Sequence, residues 1–307
     1  MENKFYDVVI IGGGSAGLAS AIYLSRAKCK CLVIEKTMLG GQIIVTSEVV
    51  NYPGVFNTSG VDLIMEMQRQ AENFGAEFAY NDVLDFKKED ERFIVTTDEG
   101  EIECKGIIIA TGATPRIIGF KGEEEYKGRG ISYCATCDGE FFTGKEIYVI
   151  GGGIAACEEA LYLTRFATKV HLIVRRDVLR CTGHIADEVQ SHQAVQIHYN
   201  SNIKEVSGKR FVDNAVFSEN GEEFTVTDET GLGIFIFAGY VPSSEIFEGK
   251  INLSEDKYII TDKRQKTNID GVYAAGDVCV KDLRQVVTAV SDGATAATAL
   301  EKYLSEK

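Results

Sequence analysis

Apolar residues fall into two kinds of run along this chain, and the order of the runs occurs twice. The stretches Asp7-Val8-Val9-Ile10-Ile11, Cys31-Leu32-Val33-Ile34 and Gly106-Ile107-Ile108-Ile109-Ala110 are short and continuous, which predicts strands buried on both faces. The first two enclose an amphipathic segment after residue 14, and residues 61–74 show a second helical period. Positions 86–103 alternate as an antiparallel hairpin or meander would. The plan then repeats: Ile147-Tyr148-Val149-Ile150, a helical stretch, Val170-His171-Leu172-Ile173-Val174, alternating positions from Ile203 to Val226, and the buried run Gly233-Ile234-Phe235-Ile236-Phe237-Ala238. The tail adds one more strand, Gly271-Val272-Tyr273-Ala274-Ala275, and a long helix from Gln285 to Leu304. Because the tail has no Gly-rich turn of its own, it completes the first unit, and the second is inserted in it. The expected domains are 1–115 with 245–307, and 116–244. The crossings near Ala113–Pro115 and Tyr240–Ser243 carry Gly or Pro and suit a hinge.

Each repeat opens with a strand, a Gly-rich turn and a helix: Gly12-Gly13-Gly14-Ser15-Ala16-Gly17 and Gly151-Gly152-Gly153-Ile154-Ala155-Ala156. In that context the glycines let backbone approach a pyrophosphate, whose charge meets free N–H groups and the helix dipole. Two such turns predict an α/β fold of two Rossmann-like nucleotide-binding domains of the FAD/NAD(P) kind. The second strands differ. One ends in Glu35, placed to accept from a ribose 2′-hydroxyl, as for FAD or NAD; the other runs into Arg175 and Arg176, with Arg180 beyond, which suit a 2′-phosphate.

Composition narrows the chemistry. A chain of 307 residues, 45% hydrophobic and 25% charged, has material for two cores. The net charge of −14 argues against nucleic acid or an anionic membrane as partner. No apolar run is long enough to span a bilayer and the first strand follows Met1 closely, so we expect a cytoplasmic protein without a leader. Eight cysteines in such a setting are expected to be mostly reduced. Cys29, Cys31, Cys104, Cys157, Cys181 and Cys279 read as small buried hydrophobes.

Cys134-Ala135-Thr136-Cys137 alone has motif spacing. A zinc half-site would need about four ligands. No second Cys-x-x-Cys or His-x-x-x-His exists, and His171, His184, His192 and His198 are scattered, so no metal is expected. A dithiol/disulfide couple remains, one thiol having a lowered pKa at a helix start. Asp138 follows Cys137 and is placed to relay a proton to a departing thiolate if burial raises its pKa; a dipole-stabilising carboxylate is the plainer reading, and both can hold.

At these residues the chain resembles the low-molecular-weight flavin thioredoxin reductases, from Phe5 to the C-terminus. The carrying motifs are Gly12 to Gly17, Gly40-Gly41-Gln42, Ala110-Thr111-Gly112, Cys134-Ala135-Thr136-Cys137-Asp138-Gly139, Ala275-Gly276-Asp277-Val278, and Arg284-Gln285-Val286 through Asp292-Gly293-Ala294. The resemblance implies FAD held by Gly12, Gly14, Ser15, Ala16 and Gly17, by Glu35, Lys36, Gly41, Gln42, Asn51 and Val83, by Ala110, Thr111 and Gly112, and by Gly276, Asp277, Arg284, Gln285 and Val286. It implies that Cys137 lies nearest the flavin, that Cys134 attacks the disulfide of thioredoxin, that the Cys-bearing domain swings about the two crossings, and that the protein is a homodimer.

The second turn departs from that family's NADPH pattern. Ala155 stands at a Ser position, Val174 at the His of a His-Arg-Arg-x-x-x-Arg stretch, and Ile154 at a usually polar position, while Arg175, Arg176 and Arg180 remain. Lost hydrogen bonds there weaken nucleotide binding. A branch of the family takes electrons from ferredoxin, and flavin chemistry permits single-electron transfer. We therefore expect ferredoxin as donor, with NADPH as the alternative, although the chain's acidity counts against an acidic carrier. A ferredoxin–NADP reductase of similar fold lacks the Cys pair, and a non-enzymatic flavin redox sensor is the rival of another class.

Overall fold

The computed structural model describes residues 5–46, 48–181 and 183–307. The chain opens with β1 (Phe5–Ile11), α1 (Ser15–Arg26), β2 (Cys31–Glu35), α2 (Gly60–Asn73), β3 (Glu77–Tyr80), β4 (Val83–Glu89), β5 (Arg92–Thr97), β6 (Gly100–Ile109) and β7 (Ala113–Pro115). There follow β8 (Ile131–Ser132), α3 (Ala135–Asp138), β9 (Glu146–Ile150), α4 (Ile154–Leu163), β10 (Lys169–Ile173), α5 (His184–Ser191), β11 (Val195–His198), β12 (Ser201–Ser207), β13 (Asn214–Glu219), β14 (Glu222–Thr227) and β15 (Gly233–Ile236). Then come β16 (Tyr240–Pro242), β17 (Val272–Ala274) and α6 (Val286–Ser305). The fold is α/β, with Rossmann-like sheets.

The chain divides into two units: one ends at Thr114 and resumes from Val241 to Lys307, and the other is Pro115–Tyr240. The return crossing thus lies at Tyr240/Val241, not after residue 244. Ser243 is tied back by its N–H to the Gly112 carbonyl (3.0 Å), and the Ser244 hydroxyl donates to the Lys257 carbonyl (2.6 Å), so both belong with the first unit. The two crossings, β7 and β16, pair as a two-stranded ribbon.

In the first unit a seven-stranded sheet has the order β3-β2-β1-β6-β5-β4, with β17 also on β6. β6 does two jobs. Its first half, Gly100–Cys104, pairs antiparallel with β5, and its second half, Ile107–Ile109, pairs parallel with β17 on the same edge. The alternating and continuous apolar segments read from the sequence are therefore one strand, whose burial changes from half-exposed to complete along its length. A continuous core requires cover on both faces. Helices α1 and α6 lie over Val8, Ile10, Val33 and Ile108; Phe86, Phe93 and Phe247 fill the opposite side.

The second unit holds an all-parallel sheet, β11-β10-β9-β15-β8, and an antiparallel one, β12-β13-β14. The β13–β14 hairpin turns on Asn220 and Gly221, both at positive φ (51° and 90°), the chemistry that a tight two-residue turn demands. No helix among the described residues is long and apolar enough to cross a membrane.

The α1–α6 contact is a backbone approach. A Cβ on Gly293 would lie 2.2 Å from the Ala16 carbonyl oxygen, and the buried Ser20 hydroxyl bridges the two helices by donating to the Gly293 carbonyl (3.1 Å). In an exposed helix interior, Gly→Ala adds about 1 kcal/mol of stability. At Gly293 the sign reverses: Gly293→Ala is expected to destabilise by about 1–3 kcal/mol through overpacking. Urea unfolding checks this, and a variant more stable than the parent would refute the close approach.

Candidate functional site

The first Gly turn is shaped by what it cannot accommodate. A Cβ at Gly12, where φ is +105°, would fall 2.3 Å from the Ala110 carbonyl oxygen, and one at Gly17 would fall 1.9 Å from that of Gly12. Strand, turn and helix are pressed together, while the outward side is open: nothing lies within 4 Å of a Cβ at Gly112, and only the Gly40 carbonyl at 3.8 Å from one at Gly14. Gly14 caps α1 without a side-chain bond, leaving the N-terminus to an anion. Ser15 and Ala16 are the first residues of that helix. The Glu35 carboxylate, at the end of β2, accepts from the Gly13 N–H (2.8 Å) and the Thr37 N–H (3.2 Å), which fixes its direction.

The other residues expected here fall into three groups. Gly41 folds against the turn, its Cβ position 4.0 Å from Gly14, with exposed Gln42 beside it. Asn51 donates to Gln285 (3.2 Å), which caps α6 in a reciprocal box with Thr288, one residue before Val286. Gly276 approaches the start of α1, a Cβ there lying 2.9 Å from that of Ala16. Three positions have other employment: the Lys36 amine pairs with Asp82 (2.6 Å), the Thr111 hydroxyl donates to the Ser243 carbonyl (2.6 Å), and the Val83 side chain belongs to the core, leaving its backbone to meet a ligand.

Two buried polar atoms beside this surface lack partners among the described residues: one carboxylate oxygen of Asp277 and the Arg284 Nε. Burial pushes the Asp277 carboxyl up, against the opposing pull of Lys281 and Arg284. Orphaned buried atoms are costly unless something meets them. A cradle open at Gly14 and Gly112, a fixed acceptor at Glu35 and unmatched groups at Asp277 and Arg284 fit a dinucleotide such as FAD.

In the second unit, Cys134 caps α3 in extended backbone and is disulfide-bonded to Cys137, their Cα atoms 5.3 Å apart. Both are half-buried. Asp138 is pushed up from the usual carboxylate range by burial, with a hydrogen bond from Ser132 (2.6 Å) acting against the shift. Ser132 was not expected. Its hydroxyl accepts the Cys134 N–H (3.1 Å) and donates to Asp138, so one side chain ties the first cysteine to the acid. The signal was faint: a Ser two residues before a Cys-x-x-Cys.

The second Gly turn repeats the first in backbone and departs from it in side chains. Gly151 at φ +153° would place a Cβ 2.7 Å from the Phe237 carbonyl, and Gly153 caps α4 with no side-chain bond. Where Glu35 offers an acceptor in the first unit, Val174 is buried, its Cγ1 2.7 Å from a Cβ position on Gly152. Ile154, the first residue of α4, is 54% exposed. Arg175, Arg176 and Arg180 are all exposed; the Arg180 N–H donates to the Gly152 carbonyl (2.6 Å) and its guanidinium reaches 3.7 Å from a Cβ position on Gly153. Among the described residues, no three His, Cys, Asp or Glu side chains gather as metal ligands would.

Residues 6–293 match the family described as pyridine nucleotide-disulphide oxidoreductase. The chain is 47% identical to a thioredoxin reductase of Peptoclostridium acidaminophilum, over 99% of this chain and 98% of that protein. It is 42% identical to a thioredoxin reductase of Bacillus subtilis over 99% and 96%. The structure of a thioredoxin reductase from Streptococcus pyogenes superposes with a TM-score of 0.94 at 38% identity, covering all of both chains.

An Asp whose native carboxyl titrates above its unfolded value of about 3.9 holds its proton more tightly when folded. Asp138 therefore stabilises fully below about pH 3.9, and that contribution is lost as pH rises through the raised native value. In Asp138→Asn the loss disappears, so its urea midpoint should climb relative to the parent across that window. A gap that stays constant with pH would refute the raised carboxyl.

Proposed function

The chain belongs to the pyridine nucleotide-disulphide oxidoreductase family, as a flavoprotein of the low-molecular-weight thioredoxin reductase type, and we propose that it reduces the disulfide of thioredoxin or a thioredoxin-like protein with ferredoxin as its electron donor. The observation that carries the first half is the Cys134–Cys137 disulfide at the start of α3, with a burial-raised carboxyl beside it. FAD fits the open surface of the first unit, held by the first Gly turn, Glu35, Gly41, Asp277 and the start of α6; when bound it supplies the electrons that reduce the Cys pair.

The remaining chemistry belongs to the chain. In the reduced pair the Cys134 thiolate attacks one sulfur of the substrate disulfide and expels the other as a thiolate, giving a mixed disulfide. Cys137 then attacks Cys134, restoring the Cys134–Cys137 bond and releasing the second substrate thiol. Two electrons and two protons pass to the substrate. Asp138, fixed by Ser132 and disinclined to ionise, carries the proton that a departing thiolate needs. We assign the homodimer on the same family grounds.

The donor assignment rests on the second turn. Val174 puts a buried apolar side chain where the family pattern has His, Ile154 puts an apolar side chain into solvent where phosphate would sit, and no hydroxyl is left at Ala155. One observation favours NADPH instead: the intact Gly backbone with Arg180 over Gly153 and two more exposed arginines beside it.

Two experiments follow. Under anaerobic conditions, reduced ferredoxin should bleach the oxidised flavin promptly while NADPH at micromolar levels does not; bleaching by NADPH alone would reverse the donor. Cys134→Ser and Cys137→Ser should each lower thioredoxin reduction by at least about a hundredfold while retaining FAD. Turnover surviving in both variants would remove the pair from the mechanism.

A further inference from the structure

Cys157 and Cys181 have no part in the chemistry described above. Cys157 is the fourth residue of α4, and Cys181 follows Arg180 on the segment leaving β10. Their sulfurs stand 3.0 Å apart, in a core shared with Ala156, Leu179, Val189 and Phe235. Each is among the free cysteines, and no third metal-ligating side chain joins them among the described residues. Two thiols in such a setting have one chemistry open to them, with each other. A disulfide needs its sulfurs at about 2.05 Å, a closure of about 1 Å.

We propose that Cys157 and Cys181 form a second, intradomain disulfide couple, closed by hydrogen peroxide, that staples the Arg180 segment to the first turn of α4. One thiol attacks the peroxide O–O bond, becoming a sulfenic acid and releasing water. The other thiol displaces the sulfenic hydroxyl as a second water and completes the S–S bond. The thiols lose two electrons and two protons, and one peroxide becomes two waters.

Burial selects the oxidant. Cys157 is 0% exposed and Cys181 4%, so a protein disulfide has no line of attack, whereas a molecule little larger than water needs only a transient opening. Burial, with the Cys181 sulfur adding to it, also pushes the Cys157 thiol up. Little of it is thiolate at neutral pH, which keeps the couple out of rapid exchange with other disulfides and makes its closure slow and faster at higher pH. The effect of closure falls on the second Gly turn, because Arg180, the residue before Cys181, is already bonded to the Gly152 carbonyl. None of this depends on which donor or substrate the enzyme uses.

The test is thiol counting on the whole flavoprotein. Air-oxidised protein, denatured and alkylated, should label the six free cysteines. After prolonged peroxide treatment the count should fall by two, with one cross-linked peptide joining Cys157 to Cys181, and reduction of the denatured protein with dithiothreitol, which opens the Cys134–Cys137 bond as well, should label all eight cysteines whether or not peroxide was applied. Amide exchange of residues 175–181 should slow by about tenfold in the oxidised form. Cys181→Ala should show no loss of labelled thiols in pairs; if that variant does not fold, peptide mapping of the parent protein decides alone. Unlinked sulfinic acid at either residue, a cross-link between any other pair, or unchanged exchange of the segment would overturn the proposal.

Discussion

Backbone pressed against backbone is the constraint on which the first unit of this protein is built. At Gly17 a side chain would sit 1.9 Å from the Gly12 carbonyl, at Gly293 2.2 Å from that of Ala16, and at Gly12 itself 2.3 Å from that of Ala110. No rotamer change relieves contacts of that kind, since the obstructing atoms are main chain. The approach draws α1 onto β1 and α6 onto α1, which closes one face of the parallel sheet and leaves the N-terminus of α1 free of any side-chain cap. An anion-binding turn and a tightly covered core are thus two results of one steric choice.

The same choice explains why so much was legible in the sequence. Gly spacing, continuous apolar strands and the long C-terminal helix each state a local requirement, and the duplicated order of those requirements announces two units. What escaped was decided by partners distant in sequence. β6 read as two strands because its solvent exposure changes along its length, when β5 gives way to β17 as neighbour. The short strands β3 and β8 carry no period long enough to detect and exist through pairing with β2 and β15. The family resemblance implies Val83 as a ligand contact, and the structure places its side chain in the core, which no local pattern in the sequence states.

Within the site, direction of side chains was the hidden variable. Glu35 was legible as a carboxylate at a strand end; that two N–H groups orient it was not. The sequence left open whether burial raises the Asp138 carboxyl; that it does, and that a bond from Ser132 opposes the shift, was invisible without the turn between β8 and α3. The Ser132 hydroxyl that donates to this carboxyl also accepts from the Cys134 N–H. The backbone of the first cysteine and the neighbouring acid are therefore linked through one serine.

Cysteine makes the sharpest contrast in the molecule, because one residue type serves three purposes set by environment alone. Cys134 and Cys137 are half-buried at the start of α3 and bonded to each other. Cys31, Cys104 and Cys279 are buried, and desolvation pushes each thiol up, although the Cys31 sulfur also meets the Ser25 hydroxyl (3.0 Å). Cys157 and Cys181 are sealed as deeply but face each other. Desolvation sets how fast a thiol reacts, whereas the distance to a second sulfur sets what it becomes. A buried pair is consequently slow to oxidise and committed to a single product once it does.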